Sequence, residues 1–167
     1  MVKVEPKIYF IMGVSGCGKS TIGNLLSKRL KIPFFDGDDY HSKTNVTKMS
    51  SGQPLTDHDR MGWLLRLNEI AHTQLEKGAI IGCSALKESY RRILCANLQE
   101  YTRWIYLSGS FDDVMNRLNN RKGHFMPSEL LKSQFETLEI PQQCIEVSIN
   151  MPPEDMVKQI LDLIKEQ

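Results

Sequence analysis

Short uninterrupted apolar runs recur along the chain, separated by segments in which apolar residues return every three or four positions. Residues 8–12 form an apolar, partly β-branched run that stops at Gly13, and Ile22, Leu25, Leu26 and Leu30 then repeat at helical spacing. That order predicts strand, loop, helix. Pro33, Phe34 and Phe35 predict a short second strand ending at Asp36. A polar stretch rich in Asp, Ser, Thr and Gly follows to about residue 56, too long for a plain connection and so a candidate for function. Thr56 and Asp59 have the spacing of a capping box, and Met61, Leu64, Leu65, Ala71 and Leu75 predict a long, half-buried helix ending near Gly78.

Residues 79–83 and 104–107 are continuous apolar runs, as expected of parallel strands covered on both faces, with a helix over 90–98 between them. Ser110 with Asp113 caps a helix carrying Phe111, Val114, Met115 and Leu118, which runs into the basic, glycine-containing segment 119–125, read as the hinge of a flap. Residues 144–149 predict a last strand. Pro152 and Pro153 start a final helix with Met156, Val157, Ile160, Leu161 and Ile164 on one side. Five strands alternating with helices predict an α/β fold with a five-stranded parallel sheet flanked by helices and right-handed crossovers.

The length, 167 residues, suits one domain over 1–167, and neither an internal repeat nor a linker interrupts it. Lys and Arg total 21 against 20 acidic residues, so no overall field draws the chain to nucleic acid or anionic lipid, and any anion site must be local. The first residues, MVKVEPK, lack the apolar run of a signal peptide, and no stretch approaches the roughly 18 apolar residues of a membrane span. A cytoplasmic protein is expected. Cys17, Cys83, Cys95 and Cys144 lack zinc or disulfide spacing; Cys83 and Cys144 read as buried thiols. Met49, Met61, Met115 and Met126 read as core or lid packing, and Trp63 and Trp104 as core.

Gly13, Val14, Ser15, Gly16, Cys17, Gly18, Lys19 and Ser20 fit G-x-x-x-x-G-K-S between a strand and a helix. Glycines let the backbone curl so that successive N–H groups face inward, and the helix adds its positive end, making a nest for phosphate oxygens. Lys19 is placed to reach β- and γ-phosphates, Ser20 to offer its hydroxyl to Mg²⁺, and Thr21 to touch the α-phosphate. Cys17, near a helix N-terminus, is a candidate redox-sensitive thiol. Such a loop alone does not separate kinases from GTPases or motor ATPases. The chain has no N-K-x-D for guanine, and the run after Gly78 ends at Ser84 rather than at an aspartate for magnesium, which counts against a switch protein. Instead Asp36, Gly37, Asp38 and Asp39 close the second strand, where open α/β sheets bind ligands. A carboxylate there can orient an attacking hydroxyl, accept its proton and help hold hydrated Mg²⁺.

Five blocks carry a resemblance to a known family: GVSGCGKST (13–21), DGDDYH (36–41), N-x-x-K-M-x-x-G-x-P-L-x-D-x-D-R-x-x-W-L (45–64), CSALK-x-x-Y-R (83–91), and RKGHFMP (121–127) with QFETLE (134–139). The chain resembles the gluconokinases, a branch of the P-loop small-molecule kinases similar to shikimate and adenylate kinases. The resemblance implies a P-loop NTPase fold of the nucleoside monophosphate and shikimate kinase kind, with a substrate-binding insertion at about 37–78 and a lid at about 119–140. It implies transfer of the γ-phosphoryl of ATP, with Mg²⁺, to the 6-hydroxyl of D-gluconate, and a homodimer. On that similarity Asp38 contacts the acceptor hydroxyl and Asp36 supports Mg²⁺ through water. Arg60 is assigned to the sugar-acid carboxylate, which its planar fork fits. His41, Lys87 and Arg91 are further candidate contacts, while Arg117 and Arg121 are candidates for adenine stacking or for clamping phosphates as a lid shuts. Another small-acceptor kinase of the same fold and a non-catalytic nucleotide-dependent binding module are the competing readings. The module needs neither Asp38 nor a basic lid.

Overall fold

β-Branched and aromatic runs at residues 8–12, 34–36, 79–82, 102–108 and 145–148 have side chains suited to a sheet covered on both faces, and they form one. The computed structural model describes residues 8–121 and 127–167. Strands β1 (Ile8–Met12), β2 (Phe34–Asp36), β3 (Ala79–Gly82), β4 (Thr102–Ser108) and β5 (Ile145–Ser148) are arranged in the order β2-β3-β1-β4-β5, and every neighbouring pair is parallel. The expected α/β sheet is therefore present. Around it run α1 (Lys19–Leu30), α2 (Lys43–Ser50), α3 (Asp57–Thr73), α4 (Glu88–Leu94), α5 (Phe111–Asn119), α6 (Ser128–Thr137) and α7 (Pro153–Lys165). Lys122, Gly123, His124 and Phe125 of the expected hinge, together with Met126 and the segment MVKVEPK, lie outside the described residues.

The alternation of side chains along β1 divides the core in two. Tyr9 and Ile11 join Ile22 and Leu26 of α1, Val114 of α5, Leu131 of α6 and Val157 and Ile160 of α7. Ile8, Phe10 and Met12 face the other way, onto Trp63, Leu64, Leu67 and Ala71 of α3 and Tyr90 and Leu94 of α4. The stripe that buries α3 is thus Trp63, Leu64, Leu67 and Ala71, whereas Met61 and Leu65, expected on the buried side, are 43% and 49% exposed. Trp104 stacks on Phe10 with ring centroids 4.7 Å apart.

Two local expectations differ from what the chain adopts. The polar stretch after β2 contains a 3-10 turn (Gly37–Tyr40) and then α2, whose outward Val46 and Met49 leave no apolar period to read. Ser42 caps α2 by accepting from the Asn45 amide, and Asn45 Nδ2 in turn donates to Asp59 O at 2.8 Å, tying α2 to α3. The helix expected over 90–98 occupies Glu88–Leu94 and is over before Asn97, whose φ of 62° no α-helix accommodates. Both capping boxes are formed, Thr56 with Asp59 and Ser110 with Asp113. Among the described residues no helix is long and apolar enough to cross a membrane.

Candidate active site

β1 is flanked by β3 and β4, so the chain leaves its carboxyl end at the point where the connections change direction across the sheet. The loop of residues 13–20 begins there. Gly16 and Gly18 take φ of 82° and 101°, values an L side chain resists, and a Cβ on Gly16 would also strike Leu118 at 2.8 Å. Val14 and Cys17 point inward as pegs, 4% and 0% exposed, which leaves the loop's backbone to face out. Full burial also removes the access that a redox-sensitive Cys17 requires. Gly18 is the N-cap of α1 and supplies no side-chain cap, so the helix offers its first amides outward. Lys19 Nζ folds back over the loop, donating to Gly13 O at 2.9 Å and Val14 O at 3.1 Å.

β2 lies one strand away from β1, with β3 between them. Asp36 ends it in register with Gly82, and Ser20 Oγ donates to Asp36 Oδ2 at 2.5 Å. Asp36 Oδ1 accepts from the Asp38 amide, so the same carboxylate caps the 3-10 turn that carries Asp38. Gly37 is required between them: a Cβ there would sit 2.3 Å from Gly82 O. Hydroxyl and carboxylate side by side are hard oxygen donors suited to Mg²⁺. Among the described residues no group of three or more His, Cys, Asp and Glu is arranged to hold a metal, so phosphate oxygens and waters would complete such a site.

A cleft of about 490 Å³ collects Ser15, Gly16, Gly18, Lys19, Ser20, Asp36, Asp38, His41, Arg60 and Arg121. Met49, Trp63, Ser84, Leu118 and Gln134 line it as well. Trp63, read as core, is 5% exposed yet also floors the cleft: Nε1 donates to Gly37 O at 2.7 Å and the indole stacks on His41 at 4.0 Å. Met49, read as packing, is 39% exposed at the rim. Arg60 Nη1 donates to Leu55 O at 2.5 Å and to Tyr90 Oη at 3.3 Å, with the guanidinium 5.4 Å from the Tyr90 ring centroid.

The remaining candidates sit around the cleft rather than in its lining. Lys87 lies at the start of α4 and pairs with Asp57 at 3.3 Å, and Asp57 also accepts from the Tyr90 hydroxyl. These bonds hold the Asp57 carboxyl below its ordinary range and raise the Lys87 ammonium. Arg91, expected at the acceptor or transferring phosphate, is instead 6% exposed and donates to Ala85 O at 2.7 Å. Ala85 has φ of 47°, a left-handed conformation costly for alanine, and the buried guanidinium fastens that turn. Arg117 Nη2 donates to Ile149 O while Nη1 flanks Gly18, and Thr21 is exposed on the first turn of α1. Cys83 is buried and its thiol pushed up to about 12 by desolvation, whereas Cys144, expected to be buried, is partly buried with Sγ near Pro141 O.

His41 Nδ1 is buried with no hydrogen-bond partner among the described residues. Burial on Trp63 lowers the imidazole pKa from 6.5; Asp38 opposes the shift and Arg60 adds to it. The unfolded chain therefore takes up a proton that the folded chain refuses. The stability from neutral His41 is present above pH 6.5 and is lost as pH falls through the folded value. Asp57, Asp59 and Asp113, all held below 3.8, add acid sensitivity only at lower pH. Between pH 7 and pH 5 the melting temperature of the wild-type chain is expected to fall more than that of His41→Gln. Melting curves that run parallel would remove this assignment.

The loop, the strand order and the paired Ser20 and Asp36 beside Asp38 define a phosphate-loop kinase, an enzyme that uses a nucleotide. The sequence model of the family described as shikimate kinase matches residues 15–164. A mouse protein named probable gluconokinase is 40% identical over 96% of this chain and 98% of its own. The thermoresistant gluconokinase of Escherichia coli (strain K12) is 42% identical over 95% of this chain and 93% of its own. The crystal structure of a gluconokinase from Sinorhizobium meliloti 1021 superposes with a TM-score of 0.90 at 36% identity, covering 98% of this chain and 94% of that one. The chain belongs to the gluconokinase family.

Proposed function

We propose that this kinase transfers the γ-phosphoryl group of ATP to the 6-hydroxyl of D-gluconate, giving 6-phospho-D-gluconate and ADP. The observation that carries the reading is the meeting of Lys19, Asp38, Arg60 and Arg121 on one cleft, in a chain matched along nearly its whole length by gluconokinases. Loop amides and Lys19 hold the β- and γ-phosphates, Lys19 exchanging its bonds to Gly13 O and Val14 O for phosphate oxygens. Arg60 forks the gluconate carboxylate and fixes the far end of the polyol. Asp38 then orients the 6-hydroxyl and takes its proton as oxygen bonds to the γ-phosphorus and the bridge to the β-phosphate breaks. Arg121 meets the charge that spreads over the equatorial oxygens. Ser20 and, through water, Asp36 would hold Mg²⁺, which supplies neutralising charge when bound.

Purified protein with MgATP is expected to release ADP when gluconate is added and not when shikimate or a nucleoside monophosphate replaces it. A panel of acceptors in a coupled ADP assay measures this, and equal turnover across the panel would end the substrate assignment.

A further inference from the structure

Gln134 belongs to α6, 119 residues from the loop it touches, yet both ends of its carboxamide are bonded there. Oε1 accepts from the Ser15 amide at 2.7 Å, and Nε2 donates to Ser15 Oγ at 3.0 Å. The orientation is chemically fixed, because a backbone N–H can only donate and so requires the oxygen. Ser15 is the third residue of the nest, and its N–H is one of the donors that a phosphate would use. Gln134 also lines the cleft with Lys19 and Arg121.

Seating α6 does not depend on this contact. Leu131 is fully buried, Phe135 packs edge-on against Phe111 at 5.9 Å, and Glu139 is bonded to Leu86 O and the Glu88 amide. Gln134 therefore spends its polar group on the loop while neighbouring residues hold the helix. A phosphate oxygen is a charged acceptor and forms the stronger bond to the Ser15 N–H, so an incoming triphosphate displaces Oε1. A half-turn of the carboxamide then brings its NH₂, a donor, to where the oxygen was.

We propose that Gln134 is a specificity-determining residue that distinguishes ATP from ADP, surrendering the Ser15 amide to the nucleotide and turning its NH₂ onto a terminal phosphate oxygen. A carboxamide can do both, since it carries an acceptor and a donor on one group. A carboxylate keeps the first role, loses the second and adds repulsion; a thioether has neither. The inference rests on the nucleotide reading above but not on gluconate as acceptor.

The test is calorimetric binding of a non-hydrolysable ATP analogue and of ADP, each with magnesium, to the full chain and to Gln134→Glu and Gln134→Met. Gln134→Glu is expected to weaken the ATP analogue relative to ADP by about tenfold or more, the loss of a hydrogen bond to a charged group plus repulsion. Gln134→Met is expected to narrow the same ratio by about threefold to tenfold. Equal weakening of both nucleotides, or unchanged affinities in both variants, would overturn the proposal. Should one variant fail to fold, the other still decides. If the wild-type chain binds neither nucleotide, the reading of the cleft falls with it, whereas binding without gluconate turnover removes only the acceptor assignment.

Discussion

Replacing Asp38 by Asn is expected to lower turnover about 10²- to 10⁴-fold, the range for removing a positioned proton acceptor. ATP affinity should change by less than about threefold, because the substitution leaves the nest and Lys19 untouched and the Asn side chain keeps nearly the same shape. Local geometry makes the change specific. Asp36 Oδ1 anchors the Asp38 backbone amide, so the turn keeps its shape when the Asp38 carboxylate is lost. Steady-state kinetics with gluconate, paired with equilibrium binding of the nucleotide, separates the two effects. Unchanged turnover would rule out the role given to Asp38. A matched loss of nucleotide binding and turnover would move Asp38 to the nucleotide side.

Truncating Arg60 to Ala is expected to raise KM for gluconate by roughly 30- to 150-fold, with a smaller change in KM for ATP. That corresponds to about 2–3 kcal/mol, the lower part of the range for removing one partner of a bonded charge pair, discounted because the cleft is open to water. The guanidinium is held before any substrate arrives, by Leu55 O, the Tyr90 hydroxyl and the face of the Tyr90 ring. Little side-chain entropy then remains to be lost on binding. Arg60→Lys should restore only part of the affinity, since an ammonium makes no two-pronged contact with a carboxylate. An unaltered KM for gluconate in Arg60→Ala would eliminate the carboxylate contact. Tyr90 and Asp57 extend the same network to Lys87, which accounts for Lys87 as a support of Arg60 even though it does not line the cleft.

Much of this protein was legible because the relevant forces are local. A β-branched run that stops at glycine, a G-x-x-x-x-G-K-S loop and a helical period fix β1, the loop and α1 through backbone conformation alone, and the spacings of Thr56 with Asp59 and of Ser110 with Asp113 fix two helix starts. The carboxylates at the end of β2 were readable for the same reason, since a strand end in a parallel sheet puts its next residues at the ligand edge. α2 was not, because Lys43–Ser50 carries no apolar stripe and is stabilised by Ser42 capping and by the bond from Asn45 to Asp59 of α3.

Side-chain roles divided along the same line. Lys19, Ser20, Asp36, Asp38, Arg60 and Arg121 were singled out from short motifs and the family blocks, and they converge on one cleft. Arg91 and Lys87 came from a block of their own, residues 83–91, and the fold turned one onto Ala85 O and the other onto Asp57. Trp63 looked like core and is core on one face and cleft floor on the other, because its indole reaches back 26 residues to Gly37. Gln134 gave no signal beyond its place in a family block, since its partner lies 119 residues earlier. Sequence alone determined the phosphate loop, the alternating strands and helices, and the helix caps, all set by residues within a few positions of one another. Tertiary structure decided which cations face the cleft, which hold strained backbone and which helix touches the loop, because those choices depend on contacts that exist only after the sheet has brought distant segments together.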